Sequence, residues 1–151
     1  MKKTLNILAV LILLLAAPGC TRPDGDIGVW FGSWHLESIM IDGVSEQSYA
    51  DNPEIMFNFQ GKVFNAAYME RAEIYGEWSY AGETLTLIAS FQAGSGANLS
   101  YLFDPFPVAM HFPQGVDQLE ITVTRLTSDI MQWQYTDQYG RMLTYNFRKY
   151  P

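Results

Sequence analysis

Short runs that alternate apolar and polar side chains with a period of two, each bounded by a turn signal, constrain this chain most. That period is the signature of a half-buried strand. Eight runs carry it: Trp30 to Ile41, Glu54 to Phe59, Lys62 to Tyr68, Ala72 to Tyr80, Glu83 to Phe91, Asp117 to Leu126, Ile130 to Thr136 and Arg141 to Lys149. Trp34, Leu36, Ser38 and Met40 fall on one face of the first, and Ile55, Phe57 and Phe59 on one face of the second. Ala81-Gly82 joins two clean alternations, with Ile74, Gly76, Trp78 and Tyr80 before it and Leu85, Leu87, Ala89 and Phe91 after it. This is the clearest hairpin in the chain. No amphipathic helix competes, and helical turns are expected only within 45–50 and 69–72. Eight strands with mostly short connections predict an all-β, eight-stranded antiparallel up-and-down barrel, with a two-sheet β-sandwich as the alternative. Closure removes the edges at which other chains could pair.

One segment breaks the rhythm. Gln92 to Gly115 opens with Gly, Ser and Asn, then carries three prolines among Phe103, Phe106, Met110, His111 and Phe112. Proline removes a backbone donor and fixes φ, so neither a regular helix nor a central strand fits here. Loops this long inside a small domain are often functional, and this one is a candidate lid or partner-docking loop.

The N-terminus reads as an address. Lys2 and Lys3 precede an apolar run from Leu5 to Leu15, and Ala16-Ala17-Pro18-Gly19-Cys20 follows. These are the parts of a secretory signal peptide, and the apolar run is shorter than the roughly 20 residues that span a bilayer. Cys20, the only cysteine, stands where a lipoprotein signal peptide is cut. The expected organisation is a signal peptide over 1–19, a lipidated Cys20 heading a flexible tether over 20–29, and a barrel domain over 30–151. A lone cysteine also leaves the fold without an intramolecular disulfide, so packing must hold it. The expected location is the bacterial cell envelope, on the outer membrane, with the membrane itself as a partner.

Removing residues 1–19 takes two of the nine basic side chains and leaves 132 residues of formal charge −9. That is enough chain for one domain with its own core. An acidic surface argues against nucleic acid as a partner. No catalytic set stands out: His35 and His111 are not at metal-ligand spacing, and Gly94-Ser95-Gly96 lacks the lysine and helix of a phosphate loop. No enzyme activity, metal or cofactor is expected.

Gly32-Ser33-Trp34 on the first strand, with Phe147-Arg148-Lys149 on the last, resembles the lipocalin and wider calycin group. So do Trp34-His35-Leu36-Glu37-Ser38-Ile39 followed by Asp42-Gly43, the run Gly76-Glu77-Trp78-Ser79-Tyr80, and the closing Tyr145-Asn146-Phe147-Arg148, which look like small bacterial lipocalin-like lipoproteins. The resemblance covers about residues 30–149. It implies that Gly32, Trp34 and Arg148 form a structural signature, in which Trp34 closes one end of the barrel and the Arg148 guanidinium lies on its indole.

All 22 Phe, Tyr and Trp residues lie in the mature part. Phe57, Phe59, Trp78, Tyr80, Leu87, Phe91, Trp133, Tyr135 and Tyr145 fall on inward phases. They either line a calyx for a small hydrophobic ligand or simply fill a barrel whose interior is just wide enough for side chains. Two functions follow. One is a membrane-anchored binder of a small hydrophobic ligand in or at the mouth of the barrel. The other is a non-catalytic accessory lipoprotein with a filled barrel that docks a protein partner through the 101–113 loop.

Overall fold

A computed structural model describes residues 25–49, 55–68, 72–92, 102–103, 106 and 108–150. After a 3₁₀ turn at Gly25–Trp30 come β1 (Gly32–Ile41), β2 (Val44–Ser48), β3 (Ile55–Gln60), β4 (Val63–Tyr68), β5 (Ala72–Ala81), β6 (Thr84–Gln92), β7 (Gln118–Leu126), β8 (Ile130–Thr136) and β9 (Met142–Lys149). Neighbours pair antiparallel in the order β2-β1-β3-β4-β5-β6-β7-β8-β9, and β9 pairs back onto β1 from Trp34–Lys149 to Ile41–Leu143. The result is a closed eight-stranded barrel with one extra strand. The sandwich alternative is thereby set aside, because both faces of a sandwich keep open edges and this sheet closes.

The extra strand corrects one expectation. Residues 45–48, read as a helical turn, belong to β2. The long β1 is shared: its first half pairs with β3 (Gly32–Phe59 to His35–Met56) and its second half with β2 (Ser38–Ser48 to Ile41–Val44). The 3₁₀ turn also takes residues 25–29 out of the expected tether, and Ile27 packs against the core.

A second correction concerns phase. Trp34 and Leu36 point inward as expected, but the next inward residues are Ile39 and Ile41, not Ser38 and Met40. A bulge between Leu36 and Ser38 in the pairing with β9 supplies the extra residue. One inserted residue moves every later side chain to the other face. A similar irregularity lies where Tyr75 pairs with Phe91 and Gly76 with Ala89, so that β6 carries the extra residue, Ser90, opposite β5. Gly76 is required there: a Cβ would run into the Ile88 carbonyl oxygen and the ring of Phe64.

Direction along the strands sorts the connections between two ends. The 3₁₀ turn, the turns at 61–62, 82–83 and 127–129, and the C-terminus after Lys149 gather at one end. The β1–β2 turn, the 102–117 segment and the turn at 137–141 gather at the other, the mouth.

Candidate functional site

The interior is a continuous column of rings. Phe57, wholly buried, meets Trp133 at 4.9 Å, Phe147 at 5.4 Å and Phe112 at 5.9 Å between ring centres. Phe59 extends the column to Trp78 at 5.1 Å and Trp30 at 5.2 Å. Most of these pairs are edge-to-face or tilted, the arrangements that aromatic quadrupoles favour. Of the residues expected to line a calyx, Phe57, Phe59, Leu87, Trp133 and Tyr145 are buried in this packing. Trp78 and Tyr80 sit at its end away from the mouth, and Tyr135 is half-buried at the rim. Phe91 lies in β6, and its side chain falls outside the described residues. Filling, not lining, describes what these rings do. Eight strands enclose little more than the volume of their own side chains.

The long loop completes the filling. Leu102, Phe103, Phe106, Met110 and Phe112 are buried, although no regular element carries most of them. Phe103, Phe112 and Tyr145 form a three-ring stack, at 4.5 Å and 14° and then 5.0 Å and 4°. Hydrogen bonds hold the loop in place: Leu102 N–H donates to Val116 O at 2.6 Å, and the Gln114 side-chain amide Nε2 donates to Phe103 O and Phe112 O, both at 3.2 Å. The Tyr145 hydroxyl donates to His111 O at 3.0 Å and so ties the loop to β9. Burial first, then the neighbouring Tyr135, Tyr49 and Asp137, pushes the Tyr145 phenol far above its ordinary range, so it remains a neutral donor. As a docking surface the loop is therefore corrected. Of the five side chains named for that role, Phe103, Phe106, Met110 and Phe112 are buried and only His111 is more than marginally accessible, while Val108 beside them is exposed.

Where loop and rim meet, a cleft of about 430 Å³ remains. Val108, His111, Phe112 and Pro113 form one wall, and Tyr135, Asp137, Tyr139 and Arg141 form the other. The turn at 137–141 is tightly built. Asp137 Oδ1 accepts from Tyr139 N–H at 2.8 Å and Arg141 N–H at 2.9 Å, and its Oδ2 pairs with the Arg141 guanidinium at 2.7 Å. Desolvation works to raise this carboxyl, but the bonds from Arg141 and Tyr139 outweigh it and hold it below the usual carboxylate range. Arg141 also lies over the Tyr139 ring at 5.3 Å. With the Asp137–Arg141 charges mutually neutralised, the cleft presents mostly apolar and aromatic surface. Tyr139 and Arg141 were not singled out by sequence, and Val108 was marked only as part of the 101–113 loop.

The opposite end is closed by Trp34, fully buried, whose indole N–H donates to Trp30 O at 3.0 Å. The cation over its ring is Lys149, with Nζ 5.1 Å from the centroid and donating to Val29 O at 3.1 Å. This corrects the expected role of Arg148, whose side chain is 70% exposed and reaches Glu37 at 3.8 Å. Strand alternation explains the exchange: Phe147 and Lys149 share the inward phase and Arg148 points out. Gly32 makes room, since a Cβ there would come within 3.0 Å of Lys149 Cε, and its φ of +114° suits glycine. His35 is buried and bonds Glu37 Oε1 at 3.1 Å. Its register neighbours Met56 and Arg148 flank it on the outer face.

A lipocalin-like protein from Bacteroides uniformis superposes with a TM-score of 0.57 at 21% identity, over 82% of this chain and 100% of that one. The fold is lipocalin-like. An uncharacterized protein from Bacteroides eggerthii gives a TM-score of 0.56 at 20% identity, over 80% of this chain and 99% of that one. No family model matches the sequence, and no curated protein does. Among the described residues no three His, Cys, Asp or Glu side chains gather as metal donors. Cys20 lies outside the described residues.

Proposed function

We propose that this protein is a lipid-anchored, non-catalytic binder that takes a small hydrophobic molecule at the barrel mouth rather than inside the barrel. The observation that carries this reading is the cleft of about 430 Å³ beside a filled interior. Its size falls within the range of small-molecule sites, and its walls set the apolar and aromatic groups of Val108, Phe112, Val116, Tyr135 and Tyr139 beside polar His111, Gln114 and Gln138. The barrel scaffold holds the rim turn and the loop against each other, so the cleft is formed before a ligand arrives. Cys20, lipidated, keeps the binder at the bacterial envelope.

Native mass spectrometry of the purified Cys20→Ala chain tests the binding directly. Co-purified lipid-like mass is the expected result. A second measurement uses an anilinonaphthalene sulfonate dye, whose binding should weaken several-fold in Val108→Asp, a substitution at an exposed position. A clean apo mass together with unchanged dye binding would overturn the proposal. The Cys20→Ala chain should also leave the membrane fraction with its barrel folded.

A further inference from the structure

The two ends of the barrel stand at very different distances from Cys20 along the chain. Only the five peptide steps from Cys20 to Gly25 separate the proposed anchor from the 3₁₀ turn. Fully extended, they span roughly 17 Å. That turn packs at the end opposite the mouth, with Trp30 against Phe59 at 5.2 Å and Tyr80 at 5.0 Å. This end therefore stays within a short reach of whatever holds Cys20.

The surface it presents suits a membrane interface. Val29, Val63, Tyr80 and Tyr150 are exposed there, on four separate segments. Beside them lies a cleft of about 540 Å³ lined by Trp30, Trp78 and Tyr80, with Lys62 and Glu77 at its edge. The Trp78 indole N–H, buried, has no hydrogen-bond partner among the described residues. Tryptophan and tyrosine favour the headgroup level of a bilayer, where a ring meets apolar chains and its polar atom meets water or ester oxygens. The mouth also exposes apolar groups, Val108 and Tyr139 among them. Chain length decides between the ends, since the mouth lies a barrel length farther from the anchor.

We infer that the end carrying Val29, Val63, Tyr80 and the Trp30–Trp78 cleft rests on the lipid interface, so that the barrel is held mouth-outward instead of tumbling on its tether. This rests on the lipid-anchor reading of Cys20. The mouth cleft then faces away from the membrane and meets ligands arriving from the aqueous side. Lys62 and Glu77 lie beside these rings, and Glu83, Asp129 and Lys149 lie on the same end, so the contact combines rings and aliphatic groups with charges of both signs.

The test uses the full lipidated chain reconstituted in phosphatidylcholine vesicles. A polarity-sensitive fluorophore is placed on Val63→Cys in one variant and on Tyr139→Cys in another, with circular dichroism confirming that each is folded. Quenching by brominated lipid should be several-fold stronger at position 63 than at 139. Equal quenching, or stronger quenching at 139, in a chain that sediments with the vesicles would overturn the orientation while leaving the anchor intact. A chain that fails to sediment, or a Cys20→Ala variant that still does, would instead overturn the anchor and the orientation with it.

Discussion

The two ends of this barrel are both sealed by aromatic rings, but by different means. At the end opposite the mouth the seal is local in sequence and backed by regular structure. Trp30 and Trp34 are four residues apart, Gly32 lies between them, and Lys149 closes over the indole from the adjoining strand. At the mouth the seal is an irregular segment that enters from outside the strand order and stacks Phe103 and Phe112 onto Tyr145. A handful of hydrogen bonds hold it there. Rings seated among closed strands have nowhere to relax when one is removed, whereas rings on an inserted loop border a cleft. The mouth is thus the end at which a ligand can be accommodated with the least loss of packing.

Truncations probe that asymmetry most strongly. Trp34→Ala should cost about 4–5 kcal/mol in chemical denaturation, near the top of the range for large aromatic truncations. Phe112→Ala should lie nearer 3 kcal/mol, because its site adjoins the cleft and can collapse or hydrate. Equal losses would remove the contrast between the ends. Gly76→Ala, in the wall of the barrel, should cost about 3 kcal/mol through overpacking against Phe64 and the Ile88 carbonyl. A fully stable Gly76→Ala would show that β5 can shift against the bulge in β6.

Alkaline pH sharpens the comparison at the mouth. The Tyr145 phenol ionises far less readily in the fold than in the unfolded chain, where its value is near 10. Its contribution is therefore complete below pH 10 and is lost as pH rises above that value, by up to about 1.4 kcal/mol per pH unit. Tyr145→Phe should flatten this alkaline slope. At neutral pH the same substitution should cost only about 1 kcal/mol, the net worth of one hydrogen bond. The smallest effect concerns Asp137. Its carboxyl is held below the usual range, so its contribution is present above the unfolded value of 3.8 and disappears as pH falls through the lower folded value. Asp137→Asn should remove this acid-side dependence, read as a shift in the acid unfolding midpoint.

Much of the barrel was legible because alternation is a property of each run by itself. Ile55, Phe57 and Phe59 are all buried as their spacing requires, and so are Leu85 and Leu87. The bulge after Leu36 was not legible, since Ser38 and Met40 continue the alternation in the sequence while the pairing with β9 inserts a residue. β2 was missed because Val44-Ser45-Glu46-Gln47-Ser48 carries one apolar residue; its strand character comes from the free edge of β1 beyond His35. The candidate site was half legible. The loop's rings marked it as distinctive, but nothing local says whether Phe103 and Phe112 point outward to a partner or inward to Phe57.

By itself the sequence determined the eight barrel strands and their main turns, because periodicity and turn chemistry are written in neighbouring residues. The tertiary structure alone decided that β9 closes on β1, that Lys149 instead of Arg148 covers Trp34, and that the long loop fills the mouth. Those outcomes depend on register and on volume. Register counts a bulge that no single strand displays, and volume is a sum over side chains that meet only once the barrel has closed.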